Sequence, residues 1–228
     1  MAIARYAKHL DLLEVRLDNG PPRKRTLETM RSESPEHMAF AVVVPKLLAA
    51  LENEATEKDV TPVLDTARGL QARWIVLRTP PTARPSSRTR ARLAKLIELL
   101  KPAGVAIAWE PSGLLAEAEA EELAASLEVT LARDPARDDL PEGDVAYGRI
   151  QALGTGGRVR ASALERAAER LAAFEEAYVV IEGDNALRAA KDLRSMLGAL
   201  GPGADEELED EELDDEGEDE DDEDEDES

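Results

Sequence analysis

Seven short apolar runs, most of them β-branched, recur along the chain: Leu12–Leu17, Met38–Pro45, Arg73–Thr79, Val105–Glu110, Leu127–Ala132, Val145–Gln151 and Ala177–Glu182. As a set they lack strict alternation of apolar and polar positions. Such runs suit strands covered on both faces, as in parallel sheets. The segments between them carry helical spacing. Arg23–Arg31 predicts a first crossover helix, and Lys46–Thr56 with Thr61–Leu70 a second. Ser87–Leu100 places Leu93, Ile97 and Leu100 on one face. Leu114–Ser126 and Ser162–Phe174 follow, the latter opening on Ser162-Ala-Leu-Glu165, a capping-box pattern. Asn185–Leu200 predicts the last helix, and Gly201-Pro-Gly203 stops it. A short helix, Ala2–His9, precedes the first strand. Arg133–Asp144 holds Pro135, Pro141 and Gly143 and reads as a loop. Strands alternating with helices imply βαβ units and a parallel sheet, either doubly wound or closed into a barrel.

Charge divides the chain in two. From Asp205 to Ser228 only Leu208, Leu213, Gly217 and Ser228 are not acidic. The whole chain carries 50 acidic and 28 basic residues; without the tail's twenty acids, 30 acidic face 28 basic. The acidic balance therefore belongs to the tail. Like charges repel, and the tail has almost no apolar surface to bury, so residues 201–228 are expected to be disordered. Residues 1–200 are expected to form one folded domain. Cysteine is absent, which excludes disulfides, thiolate metal sites and cysteine nucleophiles. The longest apolar run, Met38–Val44, is too short to span a bilayer. A cytoplasmic protein without membrane contact is expected.

Several segments, in order, resemble the YecE-like family, a TIM-barrel-type domain of unknown function. Ile3, Tyr6, Ala7, Leu10, Leu13, Glu14 and Val15 match its L-x-x-Y-A-x-x-F-x-x-V-E-V element. Met38–Pro45 resembles its F-x-F-A-V-K-V-P strand, and Ile75–Pro81 its L-x-Q-L-P-P segment. Val145–Gln151 is similar to Y-V-R-L-H-G, and Ala177–Asn185 to a closing V-Y-V-Y-F-N-N strand. The resemblance spans about residues 3 to 200. It implies a parallel β/α barrel (TIM-like) of seven strands, with the family's Gly-Ser-Trp first strand missing. It also implies a rewritten polar set. The family's Lys falls on Val43, its Gln on Arg78 and its His on Gln151, while its paired Asn residues fall on Glu182 and Gly183. Its acidic-x-Arg-His element falls on Ala108, Glu110 and Pro111. Tyr147 and Arg149 persist. The family's site chemistry is accordingly expected to be lost or changed.

In a β/α barrel, function gathers at the C-terminal ends of the strands. The polar residues there include Glu14, Arg16 and Asp18; Lys46; Arg78 and Thr79; Glu110; Arg133 and Asp134; Arg149 and Gln151; and Glu182, Asp184 and Asn185. Arg78, Glu110, Arg149 and Glu182 are the catalytic candidates, since opposed carboxylates serve acid–base work or hold a hard cation. Against that stands mutual ion pairing inside a polar barrel, which is the favoured reading. Gly154-Thr-Gly-Gly157, with Arg158 and Arg160, lies between a strand and a helix, where backbone amides cradle phosphate. Tyr147, Arg149, Gly156, Gly157 and Arg158 are therefore the candidate substrate-binding set. A plain flexible turn is the favoured reading of that loop, because it matches no phosphate-binding motif.

His9 and His37 lie away from strand C-termini, so no histidine metal site and no cofactor is expected. Two basic clusters, Arg23–Arg25 and Arg84, Arg88, Arg90, Arg92 with Lys95, invite phosphate contact. Sparse aromatics and a near-neutral body argue against nucleic acid. Three readings remain: a barrel that has lost its ancestral chemistry and carries a solubilising or interaction tail; an enzyme for a small anionic or phosphorylated substrate; and a binder of basic proteins through the tail.

Overall fold

The computed structural model describes residues 3–117, 119–152 and 157–200, and in it the alternation forms a TIM-type β/α barrel. Strands β1 (Leu12–Arg16), β2 (Ala39–Val43), β3 (Trp74–Arg78), β4 (Ala106–Glu110) and β5 (Thr130–Leu131) pair in sequence order, all parallel. Strands β6 (Val145–Gln151) and β7 (Glu176–Glu182) form a second parallel pair. A parallel bridge between Arg133 and Gly148 joins the two sheets. Among the described residues no ladder joins β7 back to β1. Among the described residues a seam therefore runs between β7 and β1.

The helices are α1 (Ile3–Tyr6), α2 (Lys24–Ser32), α3 (Lys46–Ala49), α4 (Glu57–Leu70), α5 (Ser87–Leu100), α6 (Leu114–Glu117), α7 (Ala120–Leu127), α8 (Ala161–Leu171) and α9 (Ala186–Leu200). Strand side chains alternate between helix layer and barrel interior. Phe40, Val42, Ile75, Leu77, Ile107 and Trp109 point outward into a core with Val63 and Leu70 of α4 and Leu93, Leu96 and Ile97 of α5. Ile150, Val179 and Ile181 do the same against α8 and α9 in a separate cluster. Inside the barrel, Ala41, Ala108 and Ala132 leave room for Trp74, Tyr147 and Tyr178. Trp74 meets both tyrosines edge-on, with centroids 5.2 and 5.4 Å away. Small residues opposite large ones let side chains pack across a narrow barrel.

Several boundaries differ from the sequence expectation. The second crossover breaks after Ala49, where Leu51 adopts a positive φ, and α4 starts only at Glu57. The Asp59 carboxylate accepts from the Thr56 amide and hydroxyl there, supplying a cap for that start. Glu119, also at positive φ, separates α6 from α7. Helix α7 runs to Leu127, so the expected strand Leu127–Ala132 shrinks to its last part. The expected capping box at Ser162 does not form. Helix α8 opens one residue earlier, after Arg160, without a side-chain cap. The tail, residues 201–228, lies outside the described residues.

Candidate functional site

Strand parity builds the site. On β1, β3, β4, β6 and β7 the inward positions turn polar toward the C-terminal end of the strand. Glu14 on β1, Arg78 on β3, Glu110 on β4, Arg149 on β6 and Glu182 on β7 thus meet at one mouth. Arg149 sits at the centre with 2% of its side chain exposed. Its Nε donates to Glu110 Oε2 at 2.7 Å and its Nη1 to Glu182 Oε1 at 3.0 Å. Its Nη2 donates to Glu14 Oε1. Each nitrogen of the guanidinium thus has its own carboxylate, an arrangement whose planar fork suits arginine and not lysine.

A second tier closes the cluster. Arg78 pairs with Glu110 Oε2 at 3.0 Å and with Glu182 Oε1 at 3.2 Å. Arg16 donates to Glu182 and stands 3.9 Å from Glu14 Oε2. Tyr147 donates its hydroxyl to Glu14 Oε1 at 2.8 Å. Three arginines therefore balance three glutamates. Burial, and then the neighbouring Glu14, push the Tyr147 phenol far above its ordinary value, so it stays a donor. Burial alone would raise the Glu182 carboxyl, but Arg149, Arg78 and Arg16 outweigh it and hold it below the ordinary range. Burial would lower Arg149; Glu14 and Glu110 overcome that and hold it cationic.

All four catalytic candidates, Arg78, Glu110, Arg149 and Glu182, are thus brought together, with Tyr147 beneath them. Of the candidate substrate-binding set, Tyr147 and Arg149 belong to this cluster. Gly156 lies outside the described residues. The Gly157 carbonyl accepts from the Asp184 amide, and Arg158 is exposed on the loop. Asn185 pins this stretch, accepting from the Val159 amide and donating to its carbonyl. Asp134 stays apart, on the loop after β5. Burial raises its carboxyl, while its oxygens take the Ala136 amide and Arg137.

Glu14 and Arg16, strand-end residues that are not among the catalytic candidates, also belong to the mouth. The signal was the parity of Leu12, Glu14 and Arg16 against Leu13, Val15 and Leu17. His9 and His37 lie at the other end of β1, His37 3.6 Å from Asp11. Among the described residues no group of three or more His, Asp or Glu is placed to hold a metal. No described helix is long and apolar enough to cross a membrane. Of the second basic cluster, Arg90 pairs with Glu119 and Arg92 donates to the Leu51 and Glu52 carbonyls.

These features define a TIM-type barrel with a polar, ion-paired mouth. Its overall fold is similar to that of a DUF72 family protein from Enterococcus faecalis, at 16% identity and a TM-score of 0.70, covering 86% of this chain and 93% of that one. A DUF72 family protein from Thermotoga maritima is similar at 16% identity and a TM-score of 0.66, covering 85% and 89%. A sugar phosphate isomerase/epimerase from Parabacteroides distasonis is similar at 13% identity and a TM-score of 0.54, covering 87% of each chain. No protein-family model matches the sequence, and no curated protein matches it.

Proposed function

We propose that this chain is a divergent YecE-like barrel in the cytoplasm that acts by binding polypeptide partners, not by turnover at its mouth. The observation that carries this reading is Arg149. A catalytic centre needs a group free to take up a proton or a substrate oxygen. Here the central cation is buried and shared among three glutamates, and the surrounding charges cancel. The acidic tail supplies the chemistry for a basic polypeptide: twenty carboxylates on a body close to neutral.

A second reading is favoured by the rim. Arg78 is about a quarter exposed and Arg16 nearly half, and each retains guanidinium surface toward solvent. On that reading the mouth takes a small anion such as a sugar phosphate. Thermal denaturation with inorganic phosphate and a panel of sugar phosphates separates the two. The binding-protein reading expects no saturable stabilisation by any of them. A saturable rise in the melting temperature that disappears in Arg78→Gln would overturn it. Binding of poly-lysine to the full chain, lost on removal of residues 205–228 and with added salt, is the positive expectation.

A further inference from the structure

The two strands that flank the seam differ from the rest of the barrel wall. All of β2 except its first residue is buried, and β3 is buried up to Arg78. In β7 none of the seven residues is buried, although Ala177–Ile181 is Ala-Tyr-Val-Val-Ile. In β1 only Val15 is. Between them lies a slot of about 880 Å³, lined by inward residues such as Leu12 and Val180 and outward ones such as Leu13 and Val179. The opening therefore passes through the wall. Leu193 and Leu197 of α9 form its outer rim, beside the half-exposed Leu187.

Both edges offer unused backbone. The Ala39 amide donates to the Asp11 carbonyl, so odd-numbered residues of β1 serve β2 and the amides and carbonyls of Leu12, Glu14 and Arg16 face the slot. The Glu176 amide donates to Asp144 and the Ala152 amide to the Glu182 carbonyl, so Ala177, Val179 and Ile181 face it from β7. The Tyr6 hydroxyl takes one of these groups, the Leu12 carbonyl. Two carboxylate oxygens at the slot, Glu14 Oε2 and Asp11 Oδ1, are buried without a hydrogen-bond partner. The Glu14 side chain is 94% enclosed, being 6% exposed.

We propose that the slot between β1 and β7 is a docking site for an extended segment of a partner polypeptide, which inserts parallel to both strands and displaces the Arg16–Glu182 pair that crosses the gap. This rests on the binding reading above and adds where, and to what, the chain binds. Backbone pairing on both edges supplies affinity, and alternate side chains supply selection. Outward side chains meet Leu13, Val179, Ile181 and Leu193, so they are apolar. Inward ones meet Glu14, so they include a hydrogen-bond donor. The segment is flanked by basic residues, because the polyacidic tail follows α9, whose Leu197 already lines the slot. That same tail disfavours a second copy as occupant, since it would bring twenty like charges to each slot.

The test uses the full chain and the synthetic peptide Lys-Lys-Lys-Val-Thr-Val-Thr-Val-Thr-Val-Lys-Lys-Lys, with a control in which each Val is Ser. Fluorescence anisotropy at low salt is expected to give saturable binding, at least about tenfold weaker for the control. Val179→Pro deletes one slot-facing amide and spares the β6 ladder, so a similar loss is expected. Because that variant can fail to fold, amide exchange is measured on the unaltered chain. Saturating peptide is expected to slow Leu12, Glu14, Arg16, Ala177, Val179 and Ile181, leaving Tyr178 and Val180 unchanged. Equal binding of both peptides without that protection overturns the docking site and leaves a tail-only binder. Absence of binding by either peptide overturns both readings.

Discussion

Arg149→Met removes the cation shared by Glu14, Glu110 and Glu182 and leaves buried carboxylates without a counter-charge. Loss of one partner from a buried ion pair costs about 3–5 kcal/mol, and urea denaturation is expected to show a loss of that order. Tyr147→Phe is milder. The ring keeps its contact with Trp74, and only the hydroxyl donated to Glu14 is lost, a cost of about 1–2 kcal/mol. Its pH signature is more specific. The Tyr147 phenol is raised in the folded state, so its contribution is fully present below the unfolded tyrosine value. That contribution declines as pH rises above about 10. The alkaline fall in stability is expected to be shallower in Tyr147→Phe. Glu182 acts in the opposite sense. Its folded value is depressed, so its contribution is present above the ordinary glutamate value and drains away as the pH falls below it. Arg149 could be chosen from sequence because it lies toward the C-terminal end of a strand whose limits, Val145–Gln151, were readable in full. Glu14 was harder, because its partner is 135 residues away. No local pattern encodes that meeting.

Among the elements, β5 is the weakest ladder, two residues long, and the bridge from Arg133 to Gly148 carries the barrel past it. Gly148 fits there for a steric reason. A Cβ at this position would stand 3.0 Å from Pro135 Cδ and 3.3 Å from the Arg133 carbonyl oxygen. Gly148→Ala must therefore push the Arg133–Pro135 segment away from β6. A destabilisation of about 1–3 kcal/mol is expected, with faster exchange of the Arg149 amide, which donates to Arg133. The strands and most helices were legible because their apolar runs and helical stripes are local. The breaks were not. Leu51 and Glu119 adopt positive φ as ordinary L-residues, without the glycine that announces such a turn. Ser162 has the composition of a cap, but the chain is already helical when it reaches that residue.

At the scale of the molecule, the net charge is carried almost wholly by residues 205–228. Removing residues 205–228 changes the net charge from −22 to −2. The urea midpoint is expected to stay unchanged, while ion-exchange retention drops sharply and solubility near neutral pH falls. A lower midpoint in the trimmed protein would show instead that the tail supports the barrel. The seven strands on either side of the gap were countable in the sequence. The way the gap is spanned was not legible there, because it depends on side chains far apart in sequence. Arg16 reaches Glu182, Arg194 reaches Asp11 at 2.9 Å, and Arg73 reaches Glu176 across the floor.

Those contacts give the molecule a mechanical direction. β1 is the first strand and β7 the last, and the seam runs between them. A pull on the two ends therefore loads the seam first. It meets half-exposed ion pairs there, each weak and screened by salt, and not a ladder that must shear all at once. Single-molecule pulling on the two ends is expected to open the ring at low force, and sooner as ionic strength rises. Resistance begins only when the load reaches the ladder between β1 and β2.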